Sequence, residues 1–227
     1  MTSSTEDDLQ SKLDALLAGD ETIEIPLRDE TGQQIGVMRP ITVRHLDQMD
    51  VMEKLTAWRN ANMANFLTHF VATPERTRAW VRNVLLKARG QMLWLVYDQD
   101  QHLVGHFGFK NLTSDSVLLD NAMRGERRGH PKLFVTAGRT LLQWLWQTTS
   151  VQRIDAYVMA DNVSSVMMNR QIGFGGWKRH PLIKRAHEGD THWDMGDEGQ
   201  TSPDGHYCFI LWIERDRDSS AWFDNRA

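Results

Sequence analysis

The chain has 227 residues, 41% of them hydrophobic and 25% charged, with a formal net charge of −4. That length suits one sizeable core, the balance excludes wholesale disorder, and the acidic surplus excludes a general nucleic-acid surface, which needs basic groups to neutralise phosphates. No apolar run reaches the roughly 18–20 residues of a membrane helix, and the start MTSSTEDDLQ is the opposite of a secretory leader, so a cytoplasmic protein without a membrane partner is expected.

Residues 1–22 read as a polar tail or a frayed helix, and residues 23–227 as a single domain. IEIPLRDETGQQIGVMRPIT (23–42) alternates apolar and polar residues around a glycine turn, which predicts a hairpin. HLDQMDVMEKLTAWRNANMANF (45–66) reads as helical. Thr73, Pro74 and Glu75 then begin a second helix, with Trp80, Val81, Val84, Leu85 and Ala88 on one face and Gly90 at its end. QMLWLVYD, HLVGHFGF and VLLDNAMR predict a three-stranded antiparallel meander.

MRGERRGHPKL (123–133) places Arg124, Arg127, Arg128, His130 and Lys132 around two glycines at the start of a helix. Glycines let backbone N–H groups turn inward, the helix N-terminus adds partial positive charge, and guanidinium forks match phosphate oxygens. The loop is either a diphosphate site or a solvated basic turn. Neither the GxxxxGK[ST] loop nor a GxGxxG strand–helix fingerprint is present, which sets kinase, NTPase and dinucleotide readings aside.

The helix after this loop carries the stripe Phe134, Ala137, Leu141, Trp144 or Leu145, and Thr148, with Pro131 in its first turn. RIDAYVM predicts a strand. NVSSVMMNRQIGF (162–174) predicts a short helix capped by Asn162 and ended by Gly173, and HYCFILWI a last strand. Between the last two strands, residues 181–205 are long, polar and rich in Gly and Asp, and are expected to form an extended loop acting as a lid. His180, His187 and His192 lack a second pair at ligand spacing, so they read as loop residues and no metal is expected. Cys208, the single cysteine, lies in an apolar run and reads as packing rather than nucleophile.

The succession of strand, basic glycine loop, helix, strand and NVSSVMMNRQIGF resembles the GNAT superfamily of acyl-CoA-dependent N-acyltransferases across most of residues 36–215. Asn162, Ser165 and Gly173–Phe174 match its N-x-x-[AS]…GF pattern. In its [RQ]-x-x-G-x-[GA] loop, Gly129 takes the place of the first glycine, while Glu126 and Pro131 depart from the consensus. The resemblance implies an α/β fold with a mixed, mostly antiparallel sheet flanked by helices and splayed beside the loop. It implies acetyl-CoA as cosubstrate, paired along Ala122, Met123 and Arg124 and held by Arg127, Arg128, Gly129, His130, Lys132, Asn162 and Ser165. AWRNANMANF is further similar to the W-R-N segment of members that acylate nucleotide-linked amino sugars, which implies that Trp58, Arg59 and Asn60 help hold a sugar or nucleotide.

An amine attacks a thioester only as the free base, so a proton acceptor is needed; Asp120 and His106, polar groups within apolar strands, are the candidates. Many family members supply a proton to the departing thiolate from a tyrosine at the place of Asn169. An amide does not ionise near neutrality, so Asn169 offers only a hydrogen bond, and the acid is absent or is Tyr157 or water. The expected reaction is acyl transfer to a small-molecule amine, a nucleotide-linked amino sugar. The alternatives are acetylation of protein N-termini or another small amine, and a non-catalytic acyl-CoA-binding module. Nine tryptophans serve either a homodimer face or a nucleotide-stacking pocket.

Overall fold

A computed structural model describes residues 3–19, 23–187 and 190–215. Ten strands form one sheet in the order β1-β2-β4-β5-β6-β7-β10-β8-β9-β3. The strands are β1 (Ile25–Arg28), β2 (Gln34–Pro40), β3 (Thr68–His69), β4 (Met92–Asp98), β5 (Leu103–Lys110), β6 (Ser116–Arg124), β7 (Arg153–Met159), β8 (Gly176–His187), β9 (Asp190–Met195) and β10 (Tyr207–Glu214). The β6–β7 pair is parallel, and the other pairs are antiparallel. This is the mixed, mostly antiparallel α/β architecture expected from the sequence.

Helices cover both faces. On one, α4 (Leu133–Thr148) buries Phe134, Ala137, Leu141 and Leu145 against the central strands. Its partner there is α5 (Val163–Ile172), which approaches closely because Gly138 leaves room for Ile172; a Cβ at 138 would lie 2.3 Å from Ile172 Cδ1. Leu13, Leu16 and Leu17 of α1 (Ser3–Ala18) join the same core, so that segment is anchored by apolar burial. On the other face, Val51, Met52, Leu55 and Trp58 of α2 (Met49–Ala61) pack on Leu93, Leu95 and Leu103. Residues 1, 2 and 20–22 of the predicted tail lie outside the described residues.

Three local expectations are corrected. The helix begun by Thr73, whose Oγ1 accepts from the Arg76 N–H, is α-helical only over α3 (Pro74–Trp80) and then widens into a π-turn at Val81–Leu85. The extra residue of a π-turn rotates the face, so Val81 and Leu85 are buried while Val84 and Ala88 are exposed. Pro131 precedes the first turn of α4 rather than lying inside it.

Residues 181–205 are not an extended loop. β8 and β9 form a hairpin paired from Leu182–Met195 to His187–Asp190; residues 188–189 lie outside the described residues. The hairpin fixes itself by burying Leu182 and Trp193 beside Met159 and Cys208, and by pairing β9 with β3. Lys184, Arg185 and Ala186 are all exposed, so this strand is held by its ladder with β9 rather than by an alternating burial pattern.

Candidate active site

Parallel pairing of β6 with β7 runs from Ser116–Arg153 only to Leu119–Ala156. Beyond it the strands diverge, leaving a wedge between residues 120–124 and 157–159. A cavity of about 1070 Å³ fills this wedge and continues toward α2 and α3. Among its lining residues are Asp120 to Arg124 on one side and Ala156 to Met159, Asn162, Ser165 and Asn169 on the other. Among the described residues the edge of β6 facing the wedge has no strand partner over 120–124, so peptide groups on that edge are available to a ligand.

A bulge shapes that edge. His106 pairs with Met123 and Gly108 with Asp120, so Asn121 and Ala122 together face the single residue Phe107. Asn121 takes a left-handed φ of 51°, a conformation that asparagine tolerates better than most residues. Asp120 Oδ2 lies 2.9 Å from Lys110 Nζ and accepts from Asn121 Nδ2 at 2.9 Å. Buried His106 holds the Asn121 carbonyl through Nδ1 at 2.6 Å, and burial pushes its pKa down to about 4.

The glycine loop is built around Arg124 and Asp98. Arg124 donates to the carbonyls of Glu126, Pro131 and Arg128, bridging the loop from inside. Arg128 Nε donates to Asp98 Oδ2 at 2.9 Å. Gly129, at φ 76°, lies so close that a Cβ there would meet Asp98 Cβ at 2.9 Å. Lys132 is paired with Glu30, and His130 Nδ1 accepts from the Lys132 N–H. Arg127 is exposed, and among the described residues the backbone amides of 127–130 make no hydrogen bond. Four open amides ahead of a helix whose first turn carries no acidic residue are a fit for the diphosphate of coenzyme A. Asp98, Asp100 and His102 are grouped closely, but Arg128 already occupies their carboxylates.

On α5, Asn162 Oδ1 caps the helix by accepting from the Ser165 N–H at 3.2 Å. Asn169 is buried, lines the cavity, and donates from Nδ2 to the Ser165 carbonyl at 2.8 Å. Tyr157, also lining the wedge, has its phenol pushed above the usual range by burial and by Asp155, so it keeps its proton. Burial raises the Cys208 thiol to about 12, which makes it a packing group.

The W-R-N residues separate. Trp58 is buried outside the cavity lining, 6.3 Å from the His106 ring and against Gly125, where a Cβ would lie 2.0 Å from Trp58 Cδ2. Asn60 clasps the backbone of Ala72 through both its amide groups. Arg59 alone of the three lines the cavity. Its guanidinium lies 4.1 Å from the Phe66 ring and 4.3 Å from the Phe70 ring, donates from Nη2 to the Thr68 carbonyl at 2.6 Å, and keeps a buried Nη1 without a partner. Burial and the neighbouring Arg76 lower its pKa.

Lys110, Asp98, Phe66 and Phe70 escape a reading of the sequence. Lys110 ends a strand, Asp98 begins a turn, and both look solvated in one dimension; only the register that sets Gly108 opposite Asp120 brings Lys110 to the carboxylate. Phe66 and Phe70 flank the short β3, whose pairing with β9 is a contact across more than 120 residues.

Residues 37–175, more than half of the chain, match the family model described as acetyltransferase (GNAT) domain. No curated protein sequence matches significantly. Among solved structures, an acetyltransferase described as modifying the N-terminal serine of 50S ribosomal subunit protein L7/L12 from Salmonella typhimurium superposes with a TM-score of 0.59 at 14% identity, over 86% of this chain and 100% of its own. A probable GNAT acetyltransferase from Chromobacterium violaceum gives 0.57 at 12% identity, over 85% of this chain and 90% of its own. Spermidine N-acetyltransferase from Vibrio cholerae, in complex with CoA and spermine, gives 0.51 at 11% identity, over 78% and 94%. At such identities these likenesses speak for the fold alone. The chain belongs to the GNAT acetyltransferase family and is an acyl-CoA-dependent N-acetyltransferase with acetyl-CoA as its cosubstrate.

Proposed function

We propose that the acceptor is an anionic small-molecule amine, a nucleotide-linked amino sugar, and that it enters from the α2–α3 end of the cavity. The observation that carries this reading is Arg59, a guanidinium held between Phe66 and Phe70 with a buried donor left unpaired. An unsatisfied charged donor is costly to maintain and is satisfied by a phosphate or carboxylate oxygen, while the flanking rings offer stacking surface. Arg76 and Lys110 line the same cavity, and Asp120 is the acid among them. That positive lining disfavours a polyamine.

Acetyl-CoA supplies an activated thioester. Toward it the chain offers the edge of β6 at Ala122, Met123 and Arg124, the amides of the loop through Gly129 and His130, the Arg127 guanidinium, and the α5 N-terminus at Asn162 and Ser165. Arg124, Arg128 and Lys132 hold the loop in shape. Asp120 accepts the proton of the amine, directly or through water, and Asn169 packs near the sulfur.

The test is a coenzyme A release assay with amino-sugar nucleotides, spermidine and a serine-initiated peptide. Turnover of the first group is expected, with Arg59→Gln raising its KM by about 10- to 100-fold, the cost of one charged hydrogen bond. Turnover of the peptide alone would replace this reading with acetylation of protein N-termini. In the loop, Arg127→Ala is expected to raise the KM for acetyl-CoA several-fold without loss of thermal stability, and adding Arg128→Ala to raise it further. An unchanged KM in the double variant would remove the loop from the site.

A further inference from the structure

We propose that His106 is a positioning residue: through Nδ1–H it holds the carbonyl of Asn121 and thereby sets the bulge that presents the open edge of β6 to the cleft. This deepens the functional reading above, because it rests on that edge being the surface that meets the thioester.

A carbonyl oxygen only accepts, so the 2.6 Å contact requires the proton on Nδ1. A neutral imidazole has one N–H, and Nε2 is therefore left as an acceptor. Burial keeps the ring neutral far below pH 7, which makes the tautomer permanent under working conditions. The carbonyl it grips belongs to the residue at φ 51°, the point where β6 gains its extra residue against β5. Left-handed backbone at a non-glycine residue costs about 1 kcal/mol or more and persists only where neighbours enforce it.

One aromatic neighbour backs the ring. Trp58 lies 6.3 Å from it, and Trp58 is in turn pressed against Gly125 at the start of the glycine loop. Asn62, just past the end of α2, donates from Nδ2 to the Trp58 carbonyl and reaches Met123 Sδ at 4.0 Å, so the C-terminal end of α2 meets the strand just after the bulge. The W-R-N tryptophan thus lies between His106 and the start of the glycine loop.

Asparagine and glutamine separate the two ring nitrogens. Asn places an N–H where Nδ1 stands and nothing at Nε2; Gln reaches the Nε2 position and vacates the first. His106→Asn is expected to keep the backbone amide shifts of residues 120–123 in the ligand-free protein and most of kcat. His106→Gln and His106→Ala are expected to shift those amides, speed their hydrogen exchange, and lower kcat by about 10- to 100-fold, as a small misplacement near a reacting centre does. Two results would overturn the proposal: unmoved 120–123 amides in His106→Ala, or His106→Asn as inactive as His106→Ala with its amides in place. The second would assign the work to Nε2. Should the parent protein turn over no amine at all, the amide shifts still decide the role of His106, and the functional reading fails separately.

Discussion

Asp120→Asn lowers kcat by about 10²- to 10⁴-fold, the range for a lost general base, while acetyl-CoA affinity stays as in the parent. Oδ2 of Asp120 is engaged by Lys110 and Asn121, whereas Oδ1 makes no hydrogen bond among the described residues, and the residue lines the cavity. In the proposed reaction Oδ1 receives the amine or an ordered water. Lys110, 2.9 Å from Oδ2, aims the carboxylate; it does not replace it. Because an amine on a sugar ring is weakly basic, much of it is neutral near pH 7 and a modest acceptor suffices. Asn169→Ala costs much less, at most about tenfold, since its Nδ2 is already engaged by the Ser165 carbonyl. Steady-state kinetics with both substrates varied decides the matter. Full activity in Asp120→Asn together with an inactive His106→Asn would move the proton acceptor to His106.

The difference between Asp120 and His106 shows where sequence reading reaches its limit. Both stand as polar residues in apolar strands, and in the sequence they compete for one role. Only the bulge distinguishes them, since the extra residue at Asn121 turns its carbonyl onto the imidazole and leaves the carboxylate facing the wedge. The meander, the capped helix at Asn162 and the glycine loop were legible because each depends on local signals: alternation, a capping side chain, a turn residue. The β8–β9 hairpin was not, because its stability comes from Leu182 and Trp193 meeting Met159 and Cys208, and from β3, far away in the chain. Likewise five basic residues in one loop look equivalent on paper. In space Arg124, Arg128 and Lys132 hold the loop together through Glu126, Asp98 and Glu30, whereas the exposed Arg127 has no such partner among the described residues.

Asp98→Ala is expected to raise the KM for acetyl-CoA by about tenfold and to cost about 2–4 kcal/mol of stability. The carboxylate is buried, accepts from the Asp100 and His102 N–H groups at 3.0 and 2.9 Å, and holds Arg128 at 2.9 Å. It therefore joins the β4–β5 turn to the glycine loop. Most of the stability loss comes from the two turn amides, because Arg128 is half-exposed and its pairing contributes only about 1 kcal/mol or less. Burial alone would raise the Asp98 pKa, but those amides and Arg128 outweigh it and hold the group below its ordinary value of 3.8. A folded-state pKa depressed in this way contributes stability that is complete above the unfolded value and fades as pH falls through the folded one. Asp98→Asn keeps an oxygen for the turn but no charge for Arg128, so its urea stability between pH 3 and 6 should be flatter than that of the parent, and its acetyl-CoA affinity intermediate. If Asp98→Ala loses stability while its acetyl-CoA KM is unchanged, Asp98 serves the turn alone and the loop keeps its shape through Arg124.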